Sequence, residues 1–240
     1  MGGTLPPVGT GEIGHQHADV SGGWLRPAVF GAMDGLVTNT ALVAGVAAGG
    51  AGARAVVLAG VAGLVAGSFS MALGEYASVE TQNDSVRAEA RVERDEQRRN
   101  PDAERAELVQ SYVDMGLTRR TAEAVAQEVH ADPDLAVRVH LTQELGVDLD
   151  DQPSPTVAAV SSFLCFAVGA LVPLLPFLLG AESLLLGLAA GAVGLFVAGA
   201  VAARFTTRPW WLGGLRQLGF GAVATVATYL VGALIGVGVS

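Results

Sequence analysis

The chain has 240 residues, of which 51% are hydrophobic and 15% charged, and its mean hydropathy of +0.46 is high for a water-soluble domain. The net charge is −9 and there is no lysine, which argues against a nucleic-acid partner, since that would require a basic face. A single cysteine, Cys165, excludes an internal disulfide and a cysteine-rich metal site; its apolar surroundings mark it as a packing residue.

Residues 1–23 are rich in glycine and proline, have no hydrophobic period, and are expected to form a tail. His15 and His17 within it are either accessory metal ligands or simply solvated. Five apolar blocks follow, at 27–50, 54–78, 156–179, 183–203 and 211–238. Each has about the 20 residues that a helix needs to cross a hydrocarbon core of ~30 Å. The first has neither the short core nor the cleavage site of a signal peptide and is taken as a retained span. The predicted fold is therefore an all-α membrane protein with five transmembrane helices. Spans one and two occupy 24–78, a soluble helical insert 79–155, and spans three to five 156–240.

The charge is concentrated in the insert. Between Val79 and Asp151 lie 18 acidic residues and nine arginines, which account for the whole net charge; such a domain suits a cationic ligand. With five spans, the N-terminus, the insert and the 204–210 connection share one side. Near the span ends that side carries Arg26, Arg87, Arg91, Arg204 and Arg208, against Arg54 on the other, so the positive-inside rule places the insert and the N-terminus in the cytoplasm. Trp24, Trp210 and Trp211 fall at the same boundary, as interfacial anchors do.

The spans are rich in glycine pairs spaced i, i+4, among them Gly31/Gly35, Gly45/Gly49, Gly63/Gly67, Gly187/Gly191 and Gly232/Gly236. That spacing allows close helix approach in lipid, within a bundle or between two copies. Pro173 and Pro176 interrupt the third span, either as a plain kink or as a break that frees carbonyls for a transported ion. Within the insert, "NPDAERAELVQSYVDMG" begins a helix with Asn100 as N-cap and Pro101 at its first position, and ends it at Gly116. "DPDLAVRVHLTQELG" begins another at Asp132 and Pro133 and stops at Gly146.

Two groups of residues carry chemistry. In the insert, Glu93 and Glu96 share one helix face, Glu104 and Glu107 repeat the spacing on the next helix, and His140 and Glu144 are i, i+4 on a later one. Four carboxylates folded together across the Asn100–Pro101 turn repel unless a cation joins them, and oxygen ligands with one imidazole suit a divalent first-row metal. The competing expectation is a solvated Glu/Arg helix, because Arg91, Arg94, Arg98 and Arg105 are interleaved with these glutamates. In the membrane, Asp34 and Asn39 lie inside the first span. Met71 and Glu75 share a face of the second, a thioether beside carboxylates that favours a transition metal. Carboxylates within spans are expected to be functional because lipid offers nothing to offset their desolvation; the structural alternative for Asp34 is a pair with Arg26 or a helix cap.

"DGLVTNTALVAGV" followed by "MALGEYAS" resembles the first two spans of the vacuolar iron transporter family, and the resemblance extends from about Trp24 to the end of the chain. E-x-x-E, seven residues, E-x-x-E and a distal pair four apart match that family's metal-binding domain, here at Glu93, Glu96, Glu104, Glu107, His140 and Glu144. The family often has methionine where this chain has His140. The resemblance implies a transport pathway through Asp34, Met71, Glu75 and Asn39 and a homodimer whose first spans line a central path. It also implies export of Fe2+ from the cytoplasm in exchange for protons. Mn2+, Co2+ or Zn2+ are further candidate substrates, and no prosthetic group is expected. The alanine-, glycine- and arginine-rich composition suggests a bacterial plasma membrane. The alternative is a non-transporting, membrane-anchored metal sensor or scaffold. An enzyme is disfavoured, since di-iron bundles use Glu-x-x-His pairs and the insert has none.

Overall fold

The computed structural model describes residues 23–205 and 208–239. His15 and His17 lie outside the described residues. Within them the regular structure is helical: α1 (Leu25–Ala48), α2 (Ala53–Arg99), α3 (Pro101–Asp114), α4 (Arg119–Val129), α5 (Pro133–Leu145), α6 (Pro155–Leu171), a 3-10 turn (Val172–Leu174), α7 (Leu175–Leu178), α8 (Leu184–Ala203) and α9 (Trp210–Val239). Five segments are long and apolar enough to cross a membrane: α1, the first part of α2, α6 through α7, α8, and α9. Their ends lie within a few residues of the predicted blocks, except that α2 has no break where the second block was expected to end.

The first span is the hub. α1 packs against α2, α6, α8 and α9 and is the least hydropathic and most buried of the five. This position explains how it tolerates polar residues. Asn39 and Thr40 are buried, and Thr40 returns its hydroxyl to the Leu36 carbonyl at 2.6 Å. The glycine pairs allow the close packing. A Cβ at Gly31 would lie 2.6 Å from the Ser162 carbonyl of α6, and one at Gly35 would collide with that of Phe166. Gly45 and Gly49 meet Gly232 and Gly236 of α9 in the same way. These seams close the bundle within one chain, so they do not by themselves call for a second copy.

The third span bends at its prolines. Pro173 has no N–H to give Gly169, whose carbonyl takes the Val172 amide in a tighter turn. The Asn39 side chain of α1 donates to the next carbonyl, that of Ala170, at 2.6 Å. The break is therefore held to the hub helix by a buried side chain.

α2 continues without interruption from the membrane into the insert, as one rod of 47 residues and about 70 Å. α3, α4 and α5 fold back on its far half around two small cores: Leu108, Val109, Ala122 and Ala126, and Ala90, Val137 and Leu141. Asp132 caps α5 through the amides of Asp134 and Leu135, and Gly146 ends it at φ +65, the left-handed cap that glycine favours. Gly116, at φ +101, follows α3. One expectation fails: Asn100 stands before α3 but its side chain caps nothing there. Its amide donates instead to Glu96 at 3.1 Å, because the preceding helix offers a carboxylate one turn back.

Candidate metal centre

Among the described residues, none of the glutamates predicted as ligands pairs with an arginine. Among the described residues Arg87 pairs with Glu80 and Asp84, Arg94 with Asp134, Arg98 with Asp95 and Arg105 with Asp102. The acids that pair with arginine are Glu80 and four aspartates, and a subset of the other glutamates faces one another. The expectation of a plain solvated Glu/Arg helix is not met at these positions.

Three helices contribute to the cluster. α2 supplies Glu93, α3 supplies Glu104 and α5 supplies His140, with candidate ligand atoms all within 4.8 Å of one another. His140 is 1% exposed and Glu104 9%. The Nδ1 of His140 lies 3.3 Å from Glu93, 3.7 Å from Glu104 and 3.1 Å from Glu144. The α2–α3 turn at Asn100–Pro101 brings the first two carboxylates together, as their spacing suggested. Burial raises the Glu104 carboxyl above the usual carboxylate range; Glu93 pushes it further, His140 pulls it back, and Glu107 and Glu144 add to the rise. Carboxylates that repel in a partly desolvated place form a site that a dication would relieve.

The other two predicted ligands stand apart from this centre. Glu96 faces the turn and takes the Asn100 amide. Glu107 is exposed and lines, with Glu144, Gln143, Met115 and His140, an open cleft of about 530 Å³ between α3 and α5. That cleft connects solvent to the buried imidazole.

One residue escaped sequence reasoning. His130, at the C-terminal end of α4, donates Nδ1–H to the Ala126 carbonyl at 2.8 Å. Its ring stands 5.3 Å from that of His140, nearly perpendicular to it. Burial holds it below the ordinary histidine value against that hydrogen bond, so the ring is neutral at pH 7 and Nε2 carries a lone pair. Its signal in the sequence is only a lone histidine at a helix stop.

The membrane residues form a looser set. Asp34 is half-buried and accepts the Thr38 hydroxyl at 3.2 Å. It lies mid-helix, caps nothing, and among the described residues forms no ion pair with Arg26. It sits between Arg26, Phe30 and Thr38, a line of exposed residues one turn apart, so this is the stripe of α1 that the chain itself leaves uncovered. Met71 and Glu75 are half-buried one turn apart on α2. Along straight antiparallel axes they stand about 6 Å and about 12 Å nearer the insert than Asp34. Asn39 is committed on its amide side to Ala170, while its Oδ1 is buried and unpartnered.

Comparison with known proteins agrees over nearly the whole length. The chain is 36% identical over 234 residues to a vacuolar iron transporter of Acanthamoeba castellanii, covering 92% of this chain and 83% of that protein. It is 29% identical to vacuolar iron transporter 1 of Oryza sativa, covering 95% and 94% respectively, and 30% identical to a vacuolar iron transporter of Toxoplasma gondii, covering 94% and 79%. A family model described as VIT family matches residues 25–233, and this integral membrane chain accordingly belongs to the VIT family.

Proposed function

We propose that the chain moves a divalent first-row metal across a membrane, ferrous iron foremost and manganese next, in exchange for protons. The observation that carries this reading is the convergence of Glu93, Glu104 and Glu144 on His140, free of arginine, at the far end of the rod that forms span two. Oxygen donors with one imidazole suit ferrous and manganous ions, and such ligands bind metal only as they lose protons. The names of the relatives support iron as substrate. In this reading the cluster captures metal from the cytoplasm and raises its concentration near the pore, and Glu75, Met71 and Asp34 pass it out across the membrane. A group that binds either a proton or a metal couples the two gradients.

The position of Asp34 supports a homodimer. A carboxylate on an uncovered stripe would face lipid, at a cost that conserves few such residues without a partner or water. A second copy packed along the Arg26–Phe30–Asp34–Thr38 stripe would turn that stripe into a shared path. Arginine placement supports a cytoplasmic insert.

The test is metal uptake into proteoliposomes with internal pH recorded, for Fe2+, Mn2+, Co2+ and Zn2+ in turn. Asp34→Ala is expected to abolish flux. Glu104→Ala is expected to lower apparent affinity yet leave residual flux, because capture assists the path without being part of it. Full transport by Asp34→Ala would defeat the proposed path; metal uptake without counterflow of protons would defeat the exchange. Metal binding with no flux at all would favour a membrane-anchored sensor.

A further inference from the structure

We infer that His130 is a positioning residue for the metal centre: when a dication occupies Nδ1 of His140, the His130 Nε2 accepts the remaining N–H of that imidazole. The argument starts from which nitrogen faces the carboxylates. Nδ1 of His140 points at Glu93, Glu104 and Glu144 within 3.1–3.7 Å, so it is the nitrogen a shared cation would take. A neutral imidazole bound through Nδ1 keeps its proton on Nε2. That nitrogen is buried and has no hydrogen-bond partner in the fold, and an unmet buried donor is costly.

Beside it stands a matching acceptor. Among the described residues, the His130 Nε2 is the other buried imidazole nitrogen without a partner. Its tautomer follows from the backbone: Nδ1 contacts the Ala126 carbonyl at 2.8 Å, a carbonyl can only accept, and so the neutral ring bears its lone pair on Nε2. The two rings are neighbours, 5.3 Å apart between centroids and crossing at 86°; an N–H···N contact at that separation requires both Nε2 atoms to turn toward the line between the centroids. One donor and one acceptor, each orphaned, thus satisfy each other once metal fixes the His140 tautomer. The chain of contacts would run from metal to His140, to His130, to the Ala126 carbonyl of α4. A ligand histidine anchored through its far nitrogen is a more basic and better aimed ligand. α4, which contributes nothing to the cluster itself, would then be the element that orients it.

This inference rests on the metal-capture reading above, and the experiment separates the two. The full chain in detergent is labelled with 15N-histidine and titrated with Zn2+, a redox-inert probe. With zinc bound, His140 is expected to show a protonated Nε2 and a metal-bound Nδ1, with His130 Nε2 shifted as a hydrogen-bond acceptor. X-ray absorption should count one imidazole on the zinc. His130→Phe, which keeps a ring but removes the acceptor, should weaken zinc binding by about tenfold. His130→Gln, which keeps an acceptor oxygen, should recover most of that loss, as a merely space-filling role would not allow. Two imidazoles on the zinc, metal on Nε2 of His140, or native affinity in His130→Phe would each overturn the assignment while leaving metal capture intact. A native chain that binds no zinc would overturn both.

Discussion

Replacing Glu104 by glutamine should strengthen the metal-free chain and weaken the metal-bound one. Glu104 is 9% exposed as a residue, and its ligand oxygen lies no more than 4.8 Å from that of Glu93. Two unit charges at that distance repel by about 1 kcal/mol in a water-like dielectric and by about 3.5 kcal/mol at an effective constant near 20. The change also removes the attraction to His140, but at 3.7 Å this is the longest of the three contacts that imidazole makes with a carboxylate. The net gain should therefore fall near the lower bound, about 1 kcal/mol, or a rise of about 2–4 °C in Tm for a chain of this size. Metal acts with the opposite sign. At a zinc concentration 100 times the native Kd, binding adds about 2.7 kcal/mol to the native chain. If glutamine weakens binding roughly 30-fold, the variant gains only about 0.9 kcal/mol at the same concentration. Thermal unfolding of the two proteins in detergent, with chelator and with zinc, reads both effects. The variant should melt higher without metal, and the order should level or reverse with it. A variant that melts lower in chelator, or that zinc stabilises as much as it does the native chain, would refute the view that Glu104 is held in electrostatic strain for a cation.

Three further outcomes follow, two from the same cluster and one from the α1–α6 seam. Metal affinity of the cluster should fall on acidification, beginning at a pH above the ordinary carboxylate range, because burial and Glu93 raise the Glu104 carboxyl; equilibrium dialysis of zinc against pH checks this. The sign for stability is the reverse: a raised carboxyl favours its protonated form in the fold, so the Glu104 contribution to the metal-free chain is present at low pH and lost as pH rises through the folded value. Chelator-treated chain should therefore gain stability on mild acidification, and Glu104→Gln should lose that gain. Gly35→Val should separate α1 from α6, since even a Cβ there lies 2.9 Å from the Ala170 nitrogen and closer still to the Phe166 carbonyl. Overpacking of this kind costs about 1–3 kcal/mol or more, and detergent melting should show a fall in Tm with the insert's zinc affinity unchanged.

Much of this architecture can be read from the chain because its signals are local. Blocks of apolar residues declare the spans, and Pro101, Asp132, Pro133, Gly116 and Gly146 mark helix ends by fixing φ, capping amides or turning left-handed. The glutamate pairs are also visible, because i, i+3 spacing puts them on one face. What spacing cannot decide is which member of each pair turns inward. That depends on the angle of the α2–α3 turn, which selects Glu93 and Glu104, gives Glu96 to Asn100 and leaves Glu107 at the cleft. Nor does sequence tell an arginine which acid to choose: Asp84, Asp95 and Asp102 pair with arginines three residues on, while Glu96, equally spaced from Arg99, takes the Asn100 amide instead. His130 was hidden for a related reason: its neighbour in space is ten residues away across a helix stop, and only the packing of α4 on α5 joins them.

The polar residues of the first span follow one rule. A helix touching four others has little lipid-facing surface, so polar side chains cost least there provided each has a partner. Thr40 meets this with its own backbone and Asn39 with the carbonyl beside the proline break. Asp34 meets it only in part: the Thr38 hydroxyl satisfies one oxygen, and the stripe on which it lies is uncovered. A half-satisfied carboxylate in the hub helix is poorly explained as packing, since the fold could have placed an apolar residue there without loss. The proposed pathway gives its lone pairs a transient partner. That matches the insert, where Glu104 is likewise kept in a setting that a cation would relieve. In both places the fold tolerates unfavourable charge, which is what the proposed exchange of a dication for a proton would need.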